Sequence, residues 1–85
     1  EIQQLVAKRQ ELERQVQVIG QEQNRIRENM AQLSKDSDLF RRYEAKFTKQ
    51  EDEIEKLREQ ITSSVTQEQK LRKALDEFLL GLDLK

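Results

Sequence analysis

Apolar residues recur every seven positions along most of this 85-residue chain. Such a repeat, written abcdefg with apolar residues at a and d, lines one side of an α-helix and is typical of helices that pack lengthwise against a partner helix. In the first part of the chain the d positions are Leu5, Leu12, Ile19, Ile26 and Leu33. The a positions are Ile2, Arg9, Val16, Gln23 and Met30. The repeat predicts a helix over about residues 2–33.

A second series of heptads follows in a different phase. Its a positions are Phe40, Phe47, Ile54, Ile61, Glu68, Leu75 and Leu82. Its d positions are Tyr43, Gln50, Leu57, Ser64, Leu71 and Phe78. The phase changes at residues 34–38, a run of Ser, Lys and Asp, so we expect a turn at about 34–37 and a second helix over about 37–80.

The turn carries residues that favour the beginning of a helix. Ser and Asp side chains accept hydrogen bonds from the free amides of a first helical turn. Asp36 is the predicted N-cap residue, with Ser37 as the next choice. At the other end, Gly81 suits the left-handed position that often follows a helix, so residues 81–85 are predicted to form a tail.

Helices joined by two to five residues become antiparallel neighbours. The predicted fold is therefore all-α, an antiparallel two-helix coiled-coil hairpin that occupies residues 1–85 as a single unit. Because the chain starts at Glu1 and not at Met, we expect it to be part of a longer protein. The alternative is one unbroken helix in a parallel dimer, which would have to absorb the change of phase.

The hairpin can be tested against its own polar a and d positions. If Leu33 faces Phe40, the pairs along the rest of the two helices follow, and Gln23 falls opposite Gln50. Two facing amides can hydrogen-bond to each other inside the packed interface. Sliding one helix by a heptad would leave a buried amide unpaired, at a cost of roughly 1–3 kcal/mol. The two glutamines are therefore predicted to set the register.

A second polar pair lies nearer the open end of the hairpin. Arg9 falls opposite Ser64, a small residue beside which a long side chain can reach water. Leu5 falls opposite Glu68, which is the one poor layer, although Arg9 is near enough to pair with Glu68. Arg9 and Ser64 complete the predicted set of register residues.

The second helix is longer than the first, and its last part is the most apolar part of the chain. Contiguous exposed apolar surface of this kind marks an interface. The predicted interaction residues are Leu71, Leu75, Phe78, Leu79 and Leu82. Either the first helix of the parent protein begins about ten residues earlier and covers these residues, or they dock on another domain or on a second copy in a two-fold dimer. The expected partner is therefore protein.

Charge and composition argue against several other functions. The 16 basic and 17 acidic residues are interspersed and give a net charge of −1, whereas nucleic-acid binding needs a basic face. No apolar run is long enough to predict a membrane span. Without His or Cys, the common zinc sites and His-based catalytic pairs cannot be built. We therefore predict no catalytic, cofactor-binding or metal-binding residues, and a protein that is not an enzyme.

Three runs of sequence resemble a known family: QNRIRENMAQL at 23–33, DSDLFRRYEAKFTKQEDEIEKL at 36–57 and LDEFLLGLDL at 75–84. They are similar to the C-terminal coiled-coil tail of bacterial envelope proteins of unknown function, related to mucoidy-inhibitor-A-like proteins. The resemblance implies a β-rich domain before the helical tail and a periplasmic or exported location. It implies no known activity, so no catalytic residues are carried over. The residues alone leave the location undetermined.

Two functions fit these features. The first is a structural or interaction module, a helical hairpin that spaces, docks or oligomerises its parent protein. The alternative is a client-binding hairpin of the chaperone-tentacle kind, as in prefoldin-like proteins, which would bind clients through its apolar residues at 75–84. A structural interface should be buried by a defined partner, whereas a client-gripping end should stay exposed.

Overall fold

The chain folds into two long antiparallel α-helices. The structure is a computed structural model that describes residues 2–83. Helix α1 (Ile2–Ala31) and helix α2 (Asp38–Asp83) are joined by a turn at 32–37, and the described residues contain no strand. The principal extents are 73 × 15 × 15 Å, so the hairpin is a thin rod.

Contacts between the helices establish their direction and pairing. Near the open end Arg9 hydrogen-bonds to Glu68, and near the turn Asn29 hydrogen-bonds to Tyr43. The beginning of α1 therefore lies beside the later part of α2, as in a hairpin. This confirms the predicted all-α helical hairpin, and the turn replaces the unbroken helix of the alternative.

The buried residues form one stripe along each helix. The seven buried residues among those described are Leu12, Gln23, Ile26, Gln50, Ile54, Ser64 and Glu68, and each occupies a predicted a or d position. The remaining a and d residues from Ile2 to Leu71 are half-buried. We call this set of a and d residues from Ile2 to Leu71 the seam. Because each helix meets only one other helix, the seam is narrow, and Ile26 alone among the described residues is 0% exposed.

Ser37, and not Asp36, is the N-cap of α2, so the predicted cap is wrong. The Ser37 Oγ accepts a hydrogen bond from the Phe40 amide at 3.1 Å, and the Ser37 carbonyl accepts one from the Arg41 amide. The cause lies in the turn, where the amide and hydroxyl of Ser37 both donate to the Ser34 carbonyl. This closed loop brings Ser37 to the position next to the first helical residue. Asp36 instead donates its amide to the Ser34 hydroxyl at 3.3 Å.

The helix ends also differ from the predicted bounds. Helix α1 ends at Ala31 because the amides of Gln32 and Leu33 bond three residues back, to Asn29 and Met30, which tightens the last turn.

Helix α2 continues through Gly81 to Asp83, so the predicted stop at Gly81 is wrong. No glycine in the described part of the chain has a positive φ, and leucine, a strong helix former, flanks Gly81 on both sides. The glycine therefore costs only about 1 kcal/mol relative to Ala. Residues 84 and 85 of the predicted tail lie outside the described residues.

Candidate functional site

The two glutamines predicted to set the register are both buried in the seam, at 4% exposure for Gln23 and 6% for Gln50. Gln23 does not form the expected hydrogen bond with the amide of Gln50. Its Nε2 donates to Glu51 Oε1 at 3.0 Å and to the Phe47 carbonyl at 3.5 Å. A carboxylate is a stronger acceptor than a neutral amide, so the amide of Gln23 turns to the charged neighbour of its predicted partner.

Gln50 is left with an unpaired oxygen. Among residues 2–83 its Oε1 is buried and has no hydrogen-bond partner. The cost of burying such an acceptor without a partner is about 1–3 kcal/mol. The cost in stability of this polar layer therefore falls on Gln50 and not on Gln23.

A salt bridge closes this polar layer at the rim of the seam. Lys46 Nζ on α2 lies 2.6 Å from Glu22 Oε1 on α1. The ammonium group lowers the pKa of Glu22, and the nearby Gln50 side chain adds a smaller effect in the same direction. Five side chains from the two helices thus form one polar cluster near the middle of the hairpin: Glu22, Gln23, Lys46, Gln50 and Glu51.

The second polar layer holds a charge pair. Arg9 binds Glu68 through two contacts, from Nε to Oε2 at 2.7 Å and from Nη2 to Oε1 at 3.4 Å. Its Nη1 also donates to Glu13 at 2.9 Å, and the hydrogen bond with Glu68 is the largest cause of a raised pKa for Arg9. The Glu68 side chain is only 7% exposed. A carboxylate so buried needs a cationic partner, and Arg9 supplies it.

This pairing agrees with the sequence expectation that Arg9 can reach Glu68. Ser64, the predicted neighbour of Arg9, is buried at the same end of the seam. The bond to Glu68 takes the guanidinium one helical turn beyond Ser64. A shift in register would separate Glu68 from its cation, so the prediction that polar residues set the register extends to Glu68.

Near the turn the structure adds a contact that sequence reasoning missed. The Arg27 guanidinium carbon lies 5.1 Å from the centroid of the Phe47 ring, which is within the range of a cation–π interaction. Arg27 occupies the position beside Ile26 on the edge of the seam. In the sequence, this contact could have been inferred only from the pairing of a basic residue at the edge of α1 with Phe47, an aromatic residue at an a position of α2.

The apolar end of α2 carries the predicted interaction residues. Leu71 is half-buried at the end of the seam, while Leu75, Phe78, Leu79 and Leu82 are each about half exposed or more. Of the seven large apolar side chains found exposed in the described chain, five lie between residues 75 and 82. We call residues 75–82 the apolar end.

An open groove lies where the seam meets the apolar end. It has a volume of about 500 Å³ and is lined by Ile2, Gln3, Leu71, Ala74 and Leu75. It lies between the first described residues of α1 and the part of α2 from Leu71 to Leu75.

Over the described residues, neither helix has a stretch that is long and apolar enough to cross a membrane. The same part of the chain brings together no group of three or more acidic side chains that could hold a metal ion. Comparison of the chain with models of protein families, with curated proteins and with solved structures finds no match.

Proposed function

We propose that this chain is a structural module, a stiff hairpin that holds its two ends apart and docks onto protein through the apolar end. One observation carries the proposal. Two polar layers pair across the seam, whereas most of the exposed large apolar side chains are collected at one tip. A rod with a defined register and a single apolar tip suits a spacing and docking role better than a catalytic one.

Contacts across the seam would keep the hairpin stiff. We propose that α1 and α2 form a coiled coil, since the buried residues follow the heptad positions of both helices. In such a packing the Arg9–Glu68 pair and the Gln23–Glu51 hydrogen bond oppose sliding of one helix along the other. A rod about 15 Å thick whose helices cannot slide keeps its ends at one separation.

The place of the module in the cell is a separate proposal. The resemblance to the coiled-coil tails of bacterial envelope proteins supports a periplasmic or exported location. It also supports a role as a helical extension of a larger protein.

Distance measurements on labelled chains test the spacing. The chain has no Cys, so spin labels can be attached at Lys35→Cys and Arg72→Cys without removing native thiols. The labels flank most of α2, and at 1.5 Å per residue we expect one narrow distance of about 55 Å. An excess of unlabelled chain suppresses distances between molecules. A broad or two-peaked distribution would contradict a stiff spacer.

A matched pair across the seam serves as the control. Labels at Arg14→Cys on α1 and Glu59→Cys on α2 should give a short distance, since packed helix axes lie about 8–10 Å apart. An opened hairpin would lengthen this distance. The two measurements together separate bending of the rod from opening of the seam.

The second candidate is the client-binding hairpin, favoured by the exposure of Phe78 and its apolar neighbours. Light scattering from insulin that aggregates after reduction of its disulfides distinguishes the two functions. A docking module should leave this aggregation unchanged at an equimolar ratio. A chaperone-like hairpin should delay it, and Phe78→Lys should abolish the delay.

A further inference from the structure

Four apolar side chains of the apolar end lie on a single face of α2. Leu75, Phe78, Leu79 and Leu82 are separated by three, one and three residues, the spacing that places side chains on the same side of a helix. Leu75, Phe78 and Leu82 continue the a and d positions of the seam. Leu80 points to the opposite side of α2, because it follows Phe78 by two residues, which correspond to a rotation of about 200° around the helix axis.

This face has the same spacing when it is read from either end. A two-fold axis between Phe78 and Leu79 therefore sets Leu75 against Leu82 of a second copy and Phe78 against Leu79 of that copy. All four layers are then apolar. A single patch that matches itself in this way is what a two-fold interface requires.

We propose that the apolar end is the interface of an end-to-end antiparallel dimer of this chain, an inference that rests on the docking role proposed above. The second copy's α2 packs against a face of α2 that the described part of α1 leaves exposed. Its Leu82 then lies opposite Leu75, beside the open groove at Ile2 and Leu71. The groove is lined mainly by apolar side chains and has room for such a side chain.

The exposed area of this face is small for a protein interface. The four apolar side chains of this face, each about half exposed or more, form a patch within the range of about 300–600 Å² found for the largest patches on monomers. A two-fold contact then buries roughly 600–1,200 Å² in total, which is at or below the low end of specific interfaces. The dimer should therefore be reversible, with a dissociation constant on the order of 1–100 µM.

Sedimentation equilibrium between about 2 and 500 µM tests the association, since that range brackets the expected constant. The mass should rise towards twice the 10.2 kDa of one chain. Small-angle X-ray scattering should show the maximum dimension growing from about 73 Å to roughly 130 Å, because the two rods overlap only at their tips.

Two matched substitutions locate the interface. Phe78 and Leu80 are equally exposed, at 63% and 62%, and both lie outside the seam. Phe78→Lys should leave the circular dichroism of the hairpin unchanged and keep it a monomer at every concentration. Leu80→Lys should dimerise like the unmodified chain. Equal loss of the dimer in both variants would overturn the proposed face.

Disulfide formation tests whether the two α2 helices of the dimer run antiparallel. In a mixture of Leu75→Cys and ¹⁵N-labelled Leu82→Cys chains, the disulfide should join unlike chains, since these positions face each other across the two-fold axis. Disulfides that form equally well between like chains would indicate a parallel or unspecific contact and overturn the antiparallel dimer.

A wild-type chain that stays monomeric at about 500 µM would overturn the dimer as well. In that case a narrow label distance of about 55 Å would still support the spacer role. A broad distance distribution would instead contradict the proposed function itself.

Discussion

The unpaired oxygen of Gln50 leads to the sharpest prediction, that Gln50→Met makes the hairpin more stable. Gln50 is 6% exposed and its Oε1 has no partner among the described residues. Removing an orphaned acceptor recovers about 1–3 kcal/mol, and Met is an unbranched side chain of similar length that adapts to the space. The smaller favourable effect of Gln50 on Glu22 is lost. We expect a net gain of about 0.5–2 kcal/mol in the free energy of unfolding.

Gln23→Met is the matched control, because Gln23 lies in the same layer and is equally buried. Its amide has two acceptors, so the substitution removes a hydrogen bond to the Glu51 carboxylate worth about 1.5–3 kcal/mol and one to the Phe47 carbonyl worth about 0.5–1.5 kcal/mol. The apolar gain offsets part of this loss. We therefore expect no stabilisation from Gln23→Met, and the two variants should differ in sign.

Urea unfolding followed by circular dichroism at one fixed protein concentration measures both effects. Fixing the concentration keeps any contribution from self-association constant. Thermal unfolding of the same variants gives a second readout, since 1 kcal/mol corresponds to a shift of about 4–8 °C in Tm for a domain of this size. If Gln50→Met destabilises the hairpin as much as Gln23→Met does, Gln50 contributes net stability and the reasoning from its orphaned oxygen fails.

Three further predictions follow from the seam, the cap and the salt bridge. Ile26→Ala should cost about 2–5 kcal/mol in an unfolding titration, because Ile26 is fully enclosed; a cost below 1 kcal/mol would show that the narrow seam collapses around the cavity. Ser37→Ala should cost about 0.5–2 kcal/mol and Asp36→Ala less than about 0.5 kcal/mol, and the reverse order would place the cap at Asp36. The pKa of Glu22 is lowered by Lys46, so the stability from this pair is present above the ordinary carboxyl value of 4.5 and is lost as the pH falls through the lowered pKa. Lys46→Met should flatten that part of a stability–pH profile, and an unchanged profile would contradict the pairing.

The buried face of each helix could be predicted because it depends only on spacing. Ile26 and Ile54 are buried as the heptad positions require, and the turn lies where the phase changes. The chemistry within the seam was harder to predict. Gln23 was expected to bond to Gln50, but Glu51 lies within its reach and is the stronger acceptor. Two possible partners one residue apart on a helix, such as Gln50 and Glu51, differ in the angle and distance of their approach. A heptad repeat carries no information about these quantities.

The helix ends show the same limit. Asp36 and Ser37 are both good caps by residue type, and the choice between them depended on how the turn closes on the Ser34 carbonyl. Gly81 was a plausible stop by type as well, but no left-handed residue was needed there because the helix continues.

By itself, then, the sequence determined that two helices form, which stripe of each is apolar, and that the apolar residues continue past the seam. These properties follow from helical periodicity, which is local. The tertiary structure alone decided the partners of Gln23 and the orphaned oxygen of Gln50. Each of these depends on which polar atoms approach within about 3 Å of one another when the helices pack, since hydrogen bonds are short and directional.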